Sequence, residues 1–114
     1  MTKKQYEPAV AALHDAHSIC IVTHLRPDAD AIGSAAALLL ALRQRGKDVC
    51  AVVGQEREIS RNLYTIPAAD DVTTSRKLPE GYDLYVTVDC GSLDRTGFFA
   101  DRIEQLAQQG RVLC

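Results

Sequence analysis

The sequence predicts an α/β domain with a parallel, doubly wound sheet and helices on both faces. Two observations predict this class. Apolar, β-branched runs of strand length alternate along the chain with longer helical patterns. In addition, the stretch Ser18–Leu42 passes from a strand of the fully buried type, through a polar loop, into a long apolar helix. In α/β proteins, this succession places ligands beyond the carboxyl ends of the strands.

Four strands and three helices account for the pattern. The predicted strands are apolar runs and cover Ile19–Thr23, Asp48–Gly54, Asp83–Asp89 and Val112–Cys114. The predicted helices have apolar residues at helical spacing and cover Tyr6–His17, Asp30–Arg45 and Phe98–Gln109. Pro8 suits the first turn of the first helix, Gly46 suits the left-handed position that ends the second, and Gly110 closes the third. We expect a short helix and loops after the second strand, followed by a turn over residues 77–81.

Size and composition narrow the possible functions. The chain has 114 residues, of which 46% are hydrophobic, enough for one domain with a core. The formal charge of −2 argues against a broad basic surface for duplex nucleic acid and leaves a local basic groove open. Transmembrane and secretion-signal patterns are absent from the sequence. The four cysteines are widely spaced, which favours reduced thiols and a cytoplasmic location.

A histidine and two carboxylates lie in the loop after the first predicted strand, in the order His24, Asp28 and Asp30. These groups can converge on a divalent metal ion, because Pro27 restricts the loop between them. Nitrogen and oxygen ligands without a thiolate suit Mn²⁺, Mg²⁺, Fe²⁺ or Zn²⁺. The alternative is structural: the two aspartates cap the following helix, and His24 is an ordinary loop residue.

Asp89 ends the third predicted strand and favours the metal interpretation. Carboxyl ends of parallel strands meet at one edge of a sheet, so Asp89 can face His24 if their strands are neighbours. Three carboxylates and a histidine at one edge repel one another unless metal or protons neutralise them. Two metal ions about 4 Å apart are a known arrangement for phosphate ester hydrolysis. A turn residue before Gly91 is the alternative role for Asp89.

For two arginines and a cysteine near this edge, the sequence gives weaker indications of function than for the histidine and the aspartates. Arg26 and Arg95 can contact phosphate oxygens, although arginines in loops are commonly only solvated. Cys90 follows Asp89 directly, but no histidine–carboxylate pair at useful spacing supports a nucleophilic role. We therefore predict substrate binding for the two arginines and no catalytic role for Cys90.

The motif sequences resemble those of the DHH phosphoesterases. The stretch His24–Ser34, HLRPDADAIGS, closely resembles the first motif of that family. Val88–Asp89, followed by Ser92–Arg95, resembles the second motif. The arginine before Pro27 and the AIGS after Asp30 look most like the nanoRNase and pAp-phosphatase branch. RecJ-type exonucleases, cyclic-di-AMP phosphodiesterases and manganese inorganic pyrophosphatases share the H-x-x-x-D-x-D core.

The resemblance implies a hydrolase with two Mn²⁺ ions, or with Mg²⁺ or another divalent ion in their place. By this analogy, His24 and Asp28 hold one metal ion, Asp30 holds the other, and Asp89 bridges them. Asp30 and Asp89 are then the catalytic carboxylates, and a hydroxide between the metals attacks phosphorus. The implied substrates are short oligoribonucleotides, which are trimmed to mononucleotides, and 3′-phosphoadenosine 5′-phosphate (pAp), which loses its 3′-phosphate.

The family's Asp-His-His motif and its C-terminal substrate-binding domain are not found in the sequence. We therefore expect residues 1–114 to be the N-terminal portion of a DHH domain, nearly inactive alone. The expected partners are short single-stranded RNA or small nucleotides, and no association with a membrane is expected. The sequence leaves open whether the full-length protein forms a homodimer. The alternatives are a cyclic-di-AMP-type phosphodiesterase, a manganese inorganic pyrophosphatase and, in another class, a non-catalytic nucleotide- or metal-binding module.

Overall fold

The computed structural model describes residues 3–114 as three α-helices and five strands with short 3₁₀ segments between them. The helices are α1 (Lys3–Asp15), α2 (Ala29–Gln44) and α3 (Ala100–Gln108). The strands are β1 (Ser18–Thr23), β2 (Asp48–Val53), β3 (Val72–Thr74), β4 (Leu84–Val88) and β5 (Val112–Leu113). The succession of strands and helices confirms the predicted α/β class.

The five strands form one parallel sheet in the order β3-β2-β1-β4-β5. Strand β1 is central, and its last residue, Thr23, is level with Val53 of β2 and Val88 of β4. The chain builds outward from β1 in one direction through β2 and β3, and in the other through β4 and β5. The strand order therefore reverses between β1 and β4, and open α/β sheets bind ligands at such a reversal.

Apolar side chains of β1 are buried on both faces of the sheet. On one face, Ile19 and Ile21 pack in a core that includes residues of α1 and α2. On the other face, Cys20 and Val22 pack in a second core with residues of α3. Helices thus cover both faces, as the continuous apolar run in β1 predicted.

Several details differ from the sequence-based expectations. Strand β3 was not predicted, because three residues inside a polar region give too little periodicity to detect. Helix α1 begins at Lys3, so Pro8 lies in its second turn rather than its first. The segment Leu93–Phe99 forms 3₁₀ turns around Gly97, where loop was expected up to Gly97 and the third helix was expected to begin at Phe98; α3 begins at Ala100 instead. The expected short helix after β2 is the 3₁₀ segment Arg61–Thr65.

All four cysteines have free thiols, in agreement with the expectation of no disulfide framework. Across residues 3–114, no helix combines the length and the apolarity that a bilayer crossing requires.

Asp83 joins the beginnings of the two central strands. Its Oδ2 accepts hydrogen bonds from the backbone N–H groups of His17, at 2.9 Å, and Ser18, at 3.3 Å. The backbone N–H of Asp83 donates to the hydroxyl of Ser18 at 2.9 Å. The two N–H donors stabilise the charged carboxylate and lower the pKa of Asp83 below its ordinary value.

Replacing Asp83 should therefore destabilise the fold in a pH-dependent way. Because the pKa is lower in the folded chain, the charged carboxylate stabilises the fold above the ordinary aspartate pKa of about 3.9. This stabilisation is lost as the pH falls through the lowered folded-state value. Urea unfolding of Asp83→Asn and wild type should show a gap in midpoint at pH 7 that closes toward pH 3. Glu104→Gln, at an exposed position of α3, is the control; a gap independent of pH would contradict the role of this charge.

Candidate metal centre

His24 directly follows β1 and is largely buried, with 8% of the residue exposed. Its Nδ1 lies 2.7 Å from the carbonyl oxygen of Leu25. A carbonyl can only accept, so Nδ1 carries the proton that forms this hydrogen bond. The neutral ring then has its lone pair on Nε2. Such a hydrogen bond is the usual way in which proteins orient a metal-binding histidine.

Asp28 is the N-cap residue of α2. Its backbone is extended, and its Oδ1 accepts a hydrogen bond from the backbone N–H of Ala31 at 2.8 Å. The same oxygen lies 3.8 Å from Nε2 of His24. The capping role that the sequence offered as an alternative is therefore present, and it coexists with proximity to the histidine.

Asp89 follows β4 and has a left-handed backbone, with φ of 53°. A residue other than glycine in this region costs of order 1–3 kcal/mol. One oxygen of Asp89 lies 3.5 Å from Nε2 of His24. The strand ends are joined just beside it, where the buried hydroxyl of Thr23 donates to the carbonyl oxygen of Val88 at 2.9 Å. The condition set by the sequence, that the strands of His24 and Asp89 are neighbours, is met.

His24, Asp28 and Asp89 each place one possible ligand atom within 4.8 Å of the others. One imidazole nitrogen and two carboxylate oxygens fit Mn²⁺, Mg²⁺ or Zn²⁺ by their chemistry. The carboxylates are open to solvent, with 65% of the Asp28 side chain and 44% of the Asp89 side chain exposed. A cation held here would therefore keep coordination positions for water or substrate. We call these three residues the metal group.

The other predicted residues are placed differently. Asp30 is exposed in the first turn of α2 and does not belong to the metal group. Arg26 and Arg95, together with Leu25 and Asp94, line a groove of about 480 Å³. The backbone N–H of Leu25 donates to the carbonyl oxygen of Arg95 at 2.8 Å, which holds the two loops together. The two arginines that were predicted to bind phosphate thus line the same groove. Leu25, the residue after His24, lines this groove as well.

Cys90 is partly buried beside the metal group. Burial, with a smaller effect from the negative charge of Asp89, raises the pKa of the Cys90 thiol to about 11. The thiol is therefore protonated at neutral pH, and a protonated thiol is a poor nucleophile. This agrees with the prediction that Cys90 has no catalytic role.

A second groove at the same edge was not predicted from the sequence. It has a volume of about 510 Å³ and is lined by Leu25, Arg26, Gly54, Gln55, Glu56, Arg57, Gly97 and Phe98. We call it the Phe98 groove. Its backbone segments touch: the N–H of Phe98 donates to the carbonyl oxygen of Gly54 at 3.1 Å. The sequence signal for this groove was a pair of glycines, Gly54 directly after β2 and Gly97 in the segment 93–99. The sequence alone does not show that these two residues are in contact.

The chain is thus a parallel α/β domain with a candidate metal site, made of a histidine and two carboxylates, at its strand-order reversal. Residues 18–114 match the sequence model of the DHH family, N-terminal domain. The chain therefore belongs to the DHH family, as a domain of the phosphoesterase type. DHH phosphoesterases generally depend on divalent metal ions, in keeping with the metal group.

A solved structure has the same fold. It is the crystal structure of an exopolyphosphatase-related protein from Bacteroides fragilis, similar to this chain with a TM-score of 0.71 and 24% sequence identity. The match covers 89% of this chain and 32% of that protein. The chain thus spans about a third of the length of that protein.

The contact between Gly54 and Gly97 yields a prediction on stability. A Cβ on Gly97 would lie 2.3 Å from the carbonyl oxygen of Gly54 and 2.3 Å from Cδ2 of Leu25, and its φ is 65°. We expect Gly97→Ala to lower the free energy of unfolding by about 2–4 kcal/mol, since backbone strain and overpacking add.

Gly110→Ala is the matched control. Gly110 also has a left-handed φ, of 74°, but a Cβ there meets no atom within 4 Å. Thermal and urea unfolding should show the smaller loss for this variant, about 1 kcal/mol from backbone strain alone. Equal losses for the two variants would contradict the close contact at Gly97.

Proposed function

We propose that this chain supplies the metal-binding part of a Mn²⁺-dependent phosphoesterase. Its substrates are short oligoribonucleotides, cleaved to mononucleotides, and pAp, which loses its 3′-phosphate. The observation that carries the proposal is the metal group, which joins one imidazole nitrogen and two carboxylates at the strand-order reversal of a DHH-family domain. The free thiols fit action in the cytoplasm.

Each member of the metal group has a distinct task in this proposal. His24 offers Nε2 to a cation, while its Nδ1–H on the carbonyl oxygen of Leu25 fixes the ring. Asp28 and Asp89 offer carboxylate oxygens from opposite sides of the reversal, one after β1 and one after β4. A divalent ion held here supplies charge neutralisation at the phosphate and lowers the pKa of water.

Cationic groups beside the metal group would bind the phosphate. Arg26 and Arg95 line the adjacent groove, where their guanidinium groups can pair with non-bridging phosphate oxygens. The amino-terminal end of α2, a helix of 16 residues, begins at the same loop and adds the positive end of its dipole. These groups orient the phosphate and reduce its charge repulsion with the carboxylates.

A second metal ion needs more ligands than the metal group contains. We propose Asp30 as a ligand of that ion, with Asp89 shared between the two ions. Asp30 lies outside the metal group, so completing the second site requires groups from beyond residues 3–114. For this reason we propose that the activity belongs to a longer protein and that this chain alone is nearly inactive.

The second candidate function is a non-catalytic module that binds one metal ion or a nucleotide. The observation in its favour is that the metal group has three ligands, enough for a single ion. Retention of ligand affinity without turnover in a longer version of the protein would favour this module over the enzyme.

Asp28→Asn should separate metal binding from folding. Asparagine caps helices as well as aspartate does, so the free energy of unfolding should change by less than about 0.5 kcal/mol. The affinity for Mn²⁺ should fall by at least about tenfold, because a charged ligand is lost. Calorimetric titration with Mn²⁺ measures the affinity, and urea unfolding measures the stability.

The matched control is Asp101→Asn, since Asp101 is an acidic residue in the first turn of α3, as Asp28 is at the N-cap of α2. It should leave the affinity for Mn²⁺ unchanged. Tight Mn²⁺ binding that survives in both His24→Ala and Asp28→Asn would rule out the metal group as the binding site.

The proposed activity is tested on a version of the protein that extends beyond residue 114. With Mn²⁺, we expect it to release mononucleotides from a diribonucleotide and phosphate from pAp. Asp89→Asn should lower kcat by at least about 100-fold, since even residues that only support metal ligands contribute 10- to 100-fold. Chromatography of the products measures both reactions. Ordinary activity in Asp89→Asn would refute the proposed metal-dependent mechanism.

A further inference from the structure

The Phe98 groove lies beside the metal group but contributes no ligand to it. Its volume of about 510 Å³ falls within the range of roughly 300–1,000 Å³ that is typical of small-ligand sites. It opens at the carboxyl edge of the sheet, because Gly54 directly follows β2 and Leu25 directly follows His24. The groove is therefore within reach of a substrate whose phosphate is at the metal group.

Phe98 provides an aromatic surface in this groove. It is 55% exposed, although most large apolar side chains in the described chain are covered. The guanidinium carbon of Arg76 lies 5.8 Å from the ring centroid, and Arg76 is not one of the residues that line the groove. Phe98 therefore lines the groove and also has a guanidinium group near its ring. Nucleic-acid-binding proteins stack bases on exposed aromatic rings of this kind.

One glutamine holds the backbone at two arginines of the groove. The side chain of Gln55 accepts a hydrogen bond from the backbone N–H of Arg26 at 2.8 Å and donates one to the carbonyl oxygen of Arg57 at 2.8 Å. The acidic residue of the groove, Glu56, forms an ion pair with Arg76. The positive charges of Arg26 and Arg57 are consequently available to an anionic ligand.

Arg26 connects the two grooves, since it lines both the Phe98 groove and the groove that contains Arg95. A ligand with a phosphate near Arg26 and Arg95 can therefore place a neighbouring group in the Phe98 groove. An aromatic surface combined with arginines suits a nucleobase attached to a phosphate. A bare phosphate chain would use the arginines but leave the ring of Phe98 without a partner.

We propose that the Phe98 groove binds the base of a nucleotide next to the phosphate to be cleaved and that Phe98 stacks on this base. The substrate class is then a short oligonucleotide and not an inorganic polyphosphate, an assignment that rests on the phosphoesterase function proposed above. Phe98 is a specificity-determining residue in this arrangement, and it does not take part in bond cleavage.

A fluorescence titration tests the stacking directly. The sequence contains no tryptophan, so Phe98→Trp introduces a single indole into the groove. The probes are a 5′-phosphorylated adenylyl dinucleotide with a phosphorothioate linkage, which resists turnover, and inorganic tripolyphosphate, each added with Mn²⁺. We expect the dinucleotide to quench the indole emission in a saturable manner and tripolyphosphate to leave it unchanged.

Affinity measurements on Phe98→Ala give a second test that does not depend on the introduced indole. Loss of the ring should weaken dinucleotide binding roughly 5- to 150-fold, as expected for one stacked base. Tripolyphosphate binding should be unchanged, and Phe98→Tyr should restore the affinity for the dinucleotide. Circular dichroism of each variant verifies that this exposed position leaves the fold intact.

Tyr64 provides the matched control, because it is 44% exposed and lies in the segment Arg61–Thr65, outside the Phe98 groove. Tyr64→Trp should show no quenching, and Tyr64→Ala should bind the dinucleotide as wild type does. Equal quenching in Tyr64→Trp and Phe98→Trp, or unchanged affinity in Phe98→Ala, would overturn the inference.

The outcomes also separate this inference from the function on which it rests. If the wild-type chain binds Mn²⁺ through the metal group but Phe98→Trp is not quenched by the dinucleotide, the base site fails and the phosphoesterase function stands. If the wild-type chain does not bind Mn²⁺, the proposed function fails, and the base site falls with it.

Discussion

The junction between the carboxyl ends of β1 and β4 is the constraint on which the rest of the structure depends. The strands are paired in parallel, with Thr23 level with Val88, and the buried Thr23 hydroxyl donates to the Val88 carbonyl oxygen. This pairing brings residues 24 and 89 together, although 65 positions separate them along the chain. It is also the place where the strand order reverses, so the two following loops diverge and leave room for a ligand. A shift in register here would separate His24 from Asp89 and dismantle the metal group.

Asp28 shows how one side chain serves both the fold and the site. Its carboxylate caps α2 through the N–H of Ala31, and the same oxygen lies near Nε2 of His24. The start of α2 therefore places the Asp28 carboxylate at the candidate metal site. The capping hydrogen bond also limits the orientations of this carboxylate before a metal ion binds. This arrangement reduces the conformational entropy that metal binding has to overcome. The structural and functional interpretations of Asp28 are therefore compatible.

The sequence predicted the central part of the sheet and the first loop, because long apolar runs and a Pro-containing polar loop are strong local signals. It could predict the meeting of Asp89 with His24 only conditionally, since strand order is not encoded locally. It missed β3, a short edge strand, and the Phe98 groove. That groove depends on the contact between Gly54 and Gly97, which are distant in sequence and adjacent only in the fold.

Two carboxylates near one imidazole also connect metal binding to stability. The Asp28 side chain is 65% exposed and the Asp89 side chain is 44% exposed, so water screens the repulsion between them. A divalent ion that binds here has to displace water from these carboxylates, and this desolvation reduces the net attraction between them and the ion. A ligand that binds only the folded state stabilises it by an amount that grows with its concentration. A divalent ion bound by the metal group is therefore expected to increase the stability of the junction between β1 and β4.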